Sequence, residues 1–148
     1  MKISLLFLGF TKARVRSIVS AIEGASTLEI DPVMASGIRG FGGQCPGKHR
    51  AVFVNRDLKQ DRLTKVLEAV RANPGEIPVV LVYHKDPDGR DFLYSNKYGC
   101  LLFSECDRFG RTLTAAELAE RLTEASPEDD LTRKLLELSL SCGPCSSG

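Results

Sequence analysis

The stretch His49–Asp57, HRAVFVNRD, decides how the rest of the chain reads. Ala51–Val54 is a short apolar run containing β-branched residues and showing no helical period. A run this short fits either a buried strand or a piece of buried helix, and the next residues along the chain decide between them. Asp57 is placed to cap a helix, with Gln60 three residues on in capping-box position. Leu63, Val66, Leu67 and Val70 then recur at helical spacing on one face. Asn55 therefore sits where a buried parallel strand ends and a helix is about to begin. In open α/β sheets, ligands and chemistry collect at the carboxyl ends of strands. The residue at that place here carries an amide, a poor tool for chemistry.

Toward the amino terminus, Ile3–Leu8 reads as a first strand. Thr11 is placed to cap a helix in which Val15, Ile18, Val19 and Ile22 make one apolar stripe, with Gly24 as its stop. Thr27–Met34 reads as a second strand interrupted by Pro32. Ser36–Lys48, SGIRGFGGQCPGK, is Gly-rich and without period. It stands where an α/β repeat puts a helix, and a mobile loop is expected there. Toward the carboxyl terminus, the helix Leu58–Ala72 is closed by Asn73-Pro74-Gly75. Ile77–Tyr83, IPVVLVY, is a buried parallel strand by composition, with Pro78 tolerated at its start. Asp86-Pro87-Asp88-Gly89 is a turn, Arg90–Lys97 a short helix and Cys100–Phe103 the last strand. Thr114 and Glu117 form a capping box for a helix over Thr114–Thr123, with Leu113 and Leu118 as its hydrophobic staple. Ser126-Pro127-Glu128-Asp129 starts a further helix running to Leu140. Five strands alternating with helices imply a doubly wound parallel sheet with helices on both faces.

At 148 residues and 43% hydrophobic, the chain reads as one domain over 1–125, a carboxyl-terminal or linker helix over 126–140 and a flexible tail over 141–148. The net charge of +1 with well-mixed signs gives no footprint for nucleic acid or a membrane surface. Met1–Phe10 reads as a core strand, because no small-residue cleavage site comes after it. No run reaches the roughly 18 apolar residues that span a bilayer. Five cysteines without a secretion signal suggest reduced thiols in the cytoplasm.

Several constellations compete with plainer readings. Cys142-Gly143-Pro144-Cys145 spells a thioredoxin-type motif, but no helix begins there to lower the first thiol's pKa, so a flexible tail with two thiols is expected. Cys45, His49, Cys100, Cys106, Cys142 and Cys145 include only one pair at zinc-ligand spacing, and no metal is expected. Cys100 reads as a small core residue. Gly37–Gly43 has amides that could cradle a phosphate, but it lacks the Lys-Ser/Thr of a P-loop. Asp86, Asp88 and Asp91 lack EF-hand spacing. His84, after the fourth strand, has no nucleophile to serve and reads as an exposed loop residue.

With IPVVLVY as fourth strand, GCLLFSE around the fifth and Asn55 at the end of the third, Met1–Ala125 resembles the receiver domain of bacterial response regulators. That is the CheY-like family with a flavodoxin-like fold. Against that family, the second helix is replaced by the Gly-rich loop and a carboxyl-terminal helix is added. The resemblance implies an acidic pair after the first strand, a phosphoacceptor Asp after the third, Ser or Thr after the fourth and Lys-Pro after the fifth. Here Gly9 and Phe10, Asn55, Tyr83, and Phe103 with Ser104 stand at those positions. An amide is no nucleophile for phosphoryl transfer, and Gly9 and Phe10 offer Mg²⁺ no carboxylate. The resemblance thus implies a pseudo-receiver: no enzyme, no cofactor and no metal, but a two-component signalling or scaffolding module working by protein contacts. Its partner would be another protein, its own downstream domain or a second copy, met through Leu131, Leu135 and Leu138. The alternative is a small thiol-redox or nucleotide-using flavodoxin-like enzyme, with Cys142 and Cys145 as the redox pair.

Overall fold

A computed structural model of the chain describes residues 2–35, 49–72, 77–85, 87–105 and 112–124. Its elements alternate: β1 (Lys2–Leu8), α1 (Lys12–Gly24), β2 (Glu29–Ala35), β3 (Ala51–Asn55), α2 (Gln60–Arg71), β4 (Val79–Tyr83), α3 (Gly89–Tyr98), β5 (Leu101–Ser104) and α4 (Ala115–Glu124). The five strands form one sheet in the order β2-β1-β3-β4-β5, every pair parallel. This is the doubly wound, flavodoxin-like α/β architecture the sequence implies. The Gly-rich stretch Ser36–Lys48, Cys106, the tail with Cys142 and Cys145, and the leucines Leu131, Leu135 and Leu138 lie outside the described residues.

The strands sort their side chains by the period of two that pleating imposes. Leu5, Phe7, Ala51, Phe53, Val80 and Val82 point to one face, where Val15, Ile18 and Ile22 of α1 and Leu118, Ala119 and Leu122 of α4 cover them. Leu6, Leu8, Val52, Val54, Val79 and Leu81 point to the other, under Leu63, Val66, Leu67 and Val70 of α2, with Tyr94 and Tyr98 of α3 packed alongside. Both faces of β3 and β4 are therefore buried, which is why these strands read as unbroken apolar runs. Pro32 sits in β2, which among the described strands lies at the edge of the sheet beside β1, the kind of strand where proline is tolerated.

The caps hold as the sequence implies, with one exception. The Thr11 hydroxyl accepts from Arg14 N–H at 3.3 Å at the start of α1. Thr114 and Glu117 exchange both capping-box bonds, at 3.3 and 3.2 Å. Asp88, which the sequence shows only as part of a turn, also caps α3 by accepting from the N–H groups of Arg90 and Asp91, each at 2.9 Å. The exception is Asp57. The helix after β3 begins only at Gln60, its N-cap is Lys59, and no side-chain cap bond closes its first turn. Asp57 serves a different purpose.

Candidate functional site

Because β1 and β3 are neighbours whose connections leave in opposite directions, the sheet has its topological switch between them, with the ends of β4 and β5 alongside. Asn55 is the last residue of β3 and only 9% exposed. Both ends of its amide are engaged. Nδ2 donates to the Gly9 carbonyl at 2.8 Å, and Oδ1 accepts from the Asp57 N–H at 2.9 Å. The amide thus fastens the turn after β1 to the turn after β3. A carboxylate could accept from Asp57 but could not donate to Gly9. Gly9 has φ +80°, and a Cβ there would meet Leu58 Cδ1 at 3.0 Å. The positive φ favours glycine at this turn, and any Cβ would also have to push the end of the Leu58 side chain aside.

Phe10 turns its ring into the core, edge-on to Phe7 at 5.7 Å and 83°. The ring face carries the guanidinium of Arg14 at 5.1 Å. That guanidinium forks between two carboxylates: Nη1 to Asp57 Oδ2 at 3.2 Å and Nη2 to Glu105 Oε2 at 3.4 Å. His84 Nδ1 lies 3.4 Å from the same Glu105 oxygen, with its side chain 60% exposed, so it is an exposed loop histidine with one polar neighbour.

Tyr83 occupies the fourth-strand position but turns away from this cluster. It is 3% exposed, packed on the face that α2 covers, and its hydroxyl bonds Ser95 Oγ at 2.8 Å. Burial pushes its phenol above the ordinary tyrosine range, against a smaller opposing effect of the Ser95 bond. Next to it, Arg56 pairs with Asp91 and lies 5.5 Å over the ring of Tyr94. Tyr94 in turn meets Thr64 Oγ1 at 3.0 Å, and burial raises its phenol as well. Phe103 is 3% exposed in the core beneath α1 and α4, and Ser104 is buried at the end of β5.

The structure therefore brings Gly9, Asn55 and Asp57 together, adds Arg14 and Glu105, and sends Phe10, Phe103 and Tyr83 into packing. The remaining candidates separate. His49 Nδ1 meets Ser4 Oγ at 2.7 Å near the start of β3. Cys100 packs against the face covered by α2, and burial raises its thiol, as befits a small core residue. Asp88 is spent on a cap and Asp91 on Arg56, while Asp86 lies outside the described residues. Among the described residues no three His, Cys, Asp or Glu side chains gather as a metal group. No helix among them is long and apolar enough to cross a membrane. A cavity of about 230 Å³ beside the site is lined by Gly9, Phe10, Met34, Ala35 and Arg62.

No protein-family model matches the sequence, and no curated protein matches it. Solved structures do match the fold. The chain is similar to a response-regulator receiver domain from Clostridium thermocellum at 14% identity and a TM-score of 0.56, covering 88% of this chain and 98% of that one. It is also similar to the receiver domain of a sensor histidine kinase from Pseudomonas aeruginosa at 14% identity and TM-score 0.52, covering 84% and 97%. That protein holds a magnesium ion coordinated in its active-site cleft. A third likeness, to NtrX from Brucella abortus, has 18% identity and TM-score 0.54. It covers all of this chain, 100%, but 32% of that one. These likenesses show the fold, that of response-regulator receiver domains.

Proposed function

We propose that this chain is a pseudo-receiver: a receiver-fold module of a bacterial two-component system that signals or scaffolds without being phosphorylated. It acts through protein contacts in the cytoplasm and is not an enzyme. The observation that carries the reading is the doubly bonded amide of Asn55, locked between the Gly9 carbonyl and the Asp57 N–H. A phosphoacceptor must present a free anionic oxygen to the incoming phosphorus. Here the residue at the end of the central strand is neutral, and both of its polar atoms are used to hold two turns together.

The donor set also does not fit the magnesium ion that receiver sites take. That ion wants several convergent oxygens. Gly9 and Phe10 supply no carboxylate, Asn55 Oδ1 faces the Asp57 N–H, and the carboxylates of Asp57 and Glu105 face a guanidinium. The thiol-enzyme alternative finds no support in Cys100, whose thiolate is disfavoured by burial. Its other candidates, Cys142 and Cys145, lie outside the described residues. The nucleotide-using alternative would need polar groups to read a base, and the cavity beside the site has one charged lining residue, Arg62.

The test is incubation with acetyl phosphate and Mg²⁺, and separately with beryllofluoride. The expected result is no stoichiometric, hydroxylamine-sensitive phosphate and no saturable change in amide chemical shifts around Asn55. Either signal at stoichiometric level refutes the reading. The protein-contact half rests on the sequence spacing of Leu131, Leu135 and Leu138. Under it, Leu135→Glu abolishes association with a second copy or a downstream domain while leaving the unfolding transition of the domain in place. A Leu135→Glu chain that associates as the wild type does refutes it.

A further inference from the structure

Arg14 is held on several sides at once. Its backbone N–H is fixed by the Thr11 cap, its guanidinium lies on the Phe10 ring, and its two terminal nitrogens reach Asp57 and Glu105. The side chain is only 20% exposed, and its Nε is buried without a hydrogen-bond partner among the described residues. An arginine free to seek solvent would hydrate that nitrogen, so the ion pairs and the ring outweigh its desolvation. The two carboxylates it joins come from the turn after β3 and from the residue just past β5. Glu105 also meets the exposed His84 ring at 3.4 Å.

We infer that Arg14 is a built-in counter-cation that takes the electrostatic place of a divalent metal at the carboxyl ends of β3 and β5, tying α1 to both. This role rests on the pseudo-receiver reading and names what replaces the metal in a receiver fold without phosphoryl chemistry. A covalently attached guanidinium has no off-rate and no concentration dependence, so the three elements it joins are held in one arrangement at any metal concentration.

Removing the guanidinium leaves two hard carboxylates beside a vacated volume, and hard oxygen donors favour a divalent ion. Arg14→Met keeps an apolar stem over Phe10 and removes the charge. The probe is Mn²⁺ alone, read by paramagnetic broadening of backbone amides and by thermal unfolding of the full chain. The wild type shows no saturable broadening at Asn55–Leu58 or Ser104–Glu105, and its unfolding temperature does not move. Arg14→Met shows saturable broadening at those amides and an unfolding temperature that rises to a plateau with Mn²⁺. Arg14→Met combined with Asp57→Asn and Glu105→Gln shows neither.

Saturable Mn²⁺ binding at those amides in the wild type overturns the inference, as does indifference to Mn²⁺ in both Arg14→Met and Arg14→Gln. Should both single variants fail to fold, neutralising the two carboxylates in the same chain restores folding if Arg14 is their counter-cation. A chain that stays unfolded after that change overturns the inference too. Phosphorylation of the wild type by acetyl phosphate is a separate result, and would refute the pseudo-receiver reading while leaving the variant experiment readable.

Discussion

Asn55→Asp puts a carboxyl group back where a phosphorylatable receiver has one, and the geometry of this site makes that change costly. The wild-type Nδ2 donates to the Gly9 carbonyl at 2.8 Å in a site only 9% exposed. An ionised Asp cannot donate. Leaving the carbonyl without its donor costs roughly 1–3 kcal/mol, and setting an ionised oxygen against it about 1 kcal/mol more. The retained acceptance from the Asp57 N–H becomes charge-assisted and offsets part of this, about 1 kcal/mol. A net loss of roughly 1–3 kcal/mol remains. For a chain of 148 residues each kcal/mol moves the unfolding midpoint by about 3–4 °C, so the midpoint should fall by roughly 3–12 °C near neutral pH.

The loss should also depend on pH with a definite sign. Protonation returns a donor to the new carboxyl, so its pKa is higher in the folded than in the unfolded chain. A group raised in this way contributes its stability below its unfolded pKa, about 3.9, and loses it as the pH rises through the folded value. The deficit relative to wild type is therefore smallest near about pH 4 and largest at neutral pH. Urea unfolding of both proteins, followed by circular dichroism at the two pH values, reads the difference directly. An Asn55→Asp chain as stable as wild type at neutral pH, or one whose deficit grows on acidification, would refute the assignment of the amide as a clamp.

Gly9→Ala should lose about 1–3 kcal/mol, because φ is +80° and the new Cβ meets Leu58 at 3.0 Å. Adding Leu58→Ala relieves the steric part without restoring wild-type stability, since the backbone strain remains; denaturant midpoints of the single and double variants separate the two effects. Ultraviolet titration of the chain's three tyrosines should show the Tyr83 and Tyr94 phenols ionising above the ordinary range, and Tyr83→Phe should remove one of those late steps. Because both are raised by burial, the stability they contribute is intact below about pH 10 and declines as the pH rises beyond it, which thermal unfolding across the alkaline range will report.

The sheet is legible in the sequence because its signal is local and repeated. IPVVLVY contains β4, every residue of which is buried, and the stripe Leu63, Val66, Leu67, Val70 is the buried face of α2. The Thr114–Glu117 box is likewise written in four consecutive residues. The site is legible only in part. Asp57 reads as a cap because a capping box is also a local pattern, whereas its actual partner, Arg14, lies 43 residues away. Glu105 reaches the same guanidinium across 91 residues. Arg14 sits with Lys12 and Arg16 in a stretch that looks like an ordinary solvated helix face. Charge pairs have no periodicity, so only the topology that brings strand ends together identifies them. The usable signal is positional: Asp57, His84 and Glu105 each lie one or two residues past a strand end, where a parallel sheet gathers side chains from distant parts of the chain.

The departures at this site are also coupled through charge, and the coupling limits what any single reversion can do. With Gly9, Phe10 and Asn55 all uncharged, two carboxylates remain in the cluster, Asp57 and Glu105, and one guanidinium serves both. Restoring a carboxylate at Asn55 alone removes the clamp on Gly9 and adds a negative charge to a cluster whose cation is already shared. Removing Arg14 alone strands two carboxylates. Installing an acid at Gly9 is opposed by its positive φ and by Leu58, and an acid at Phe10 would empty the core beneath the Arg14 stem. Each change is unfavourable in the presence of the others, so the neutral amide, the small residue in the left-handed turn and the tethered cation are best understood as one arrangement. Under the pseudo-receiver reading, a receiver-like metal and phosphoryl site would require changing Gly9, Phe10, Asn55 and Arg14 together, with Tyr83, Phe103 and Ser104 besides, and intermediates with one or two of those changes should be less stable than the wild type.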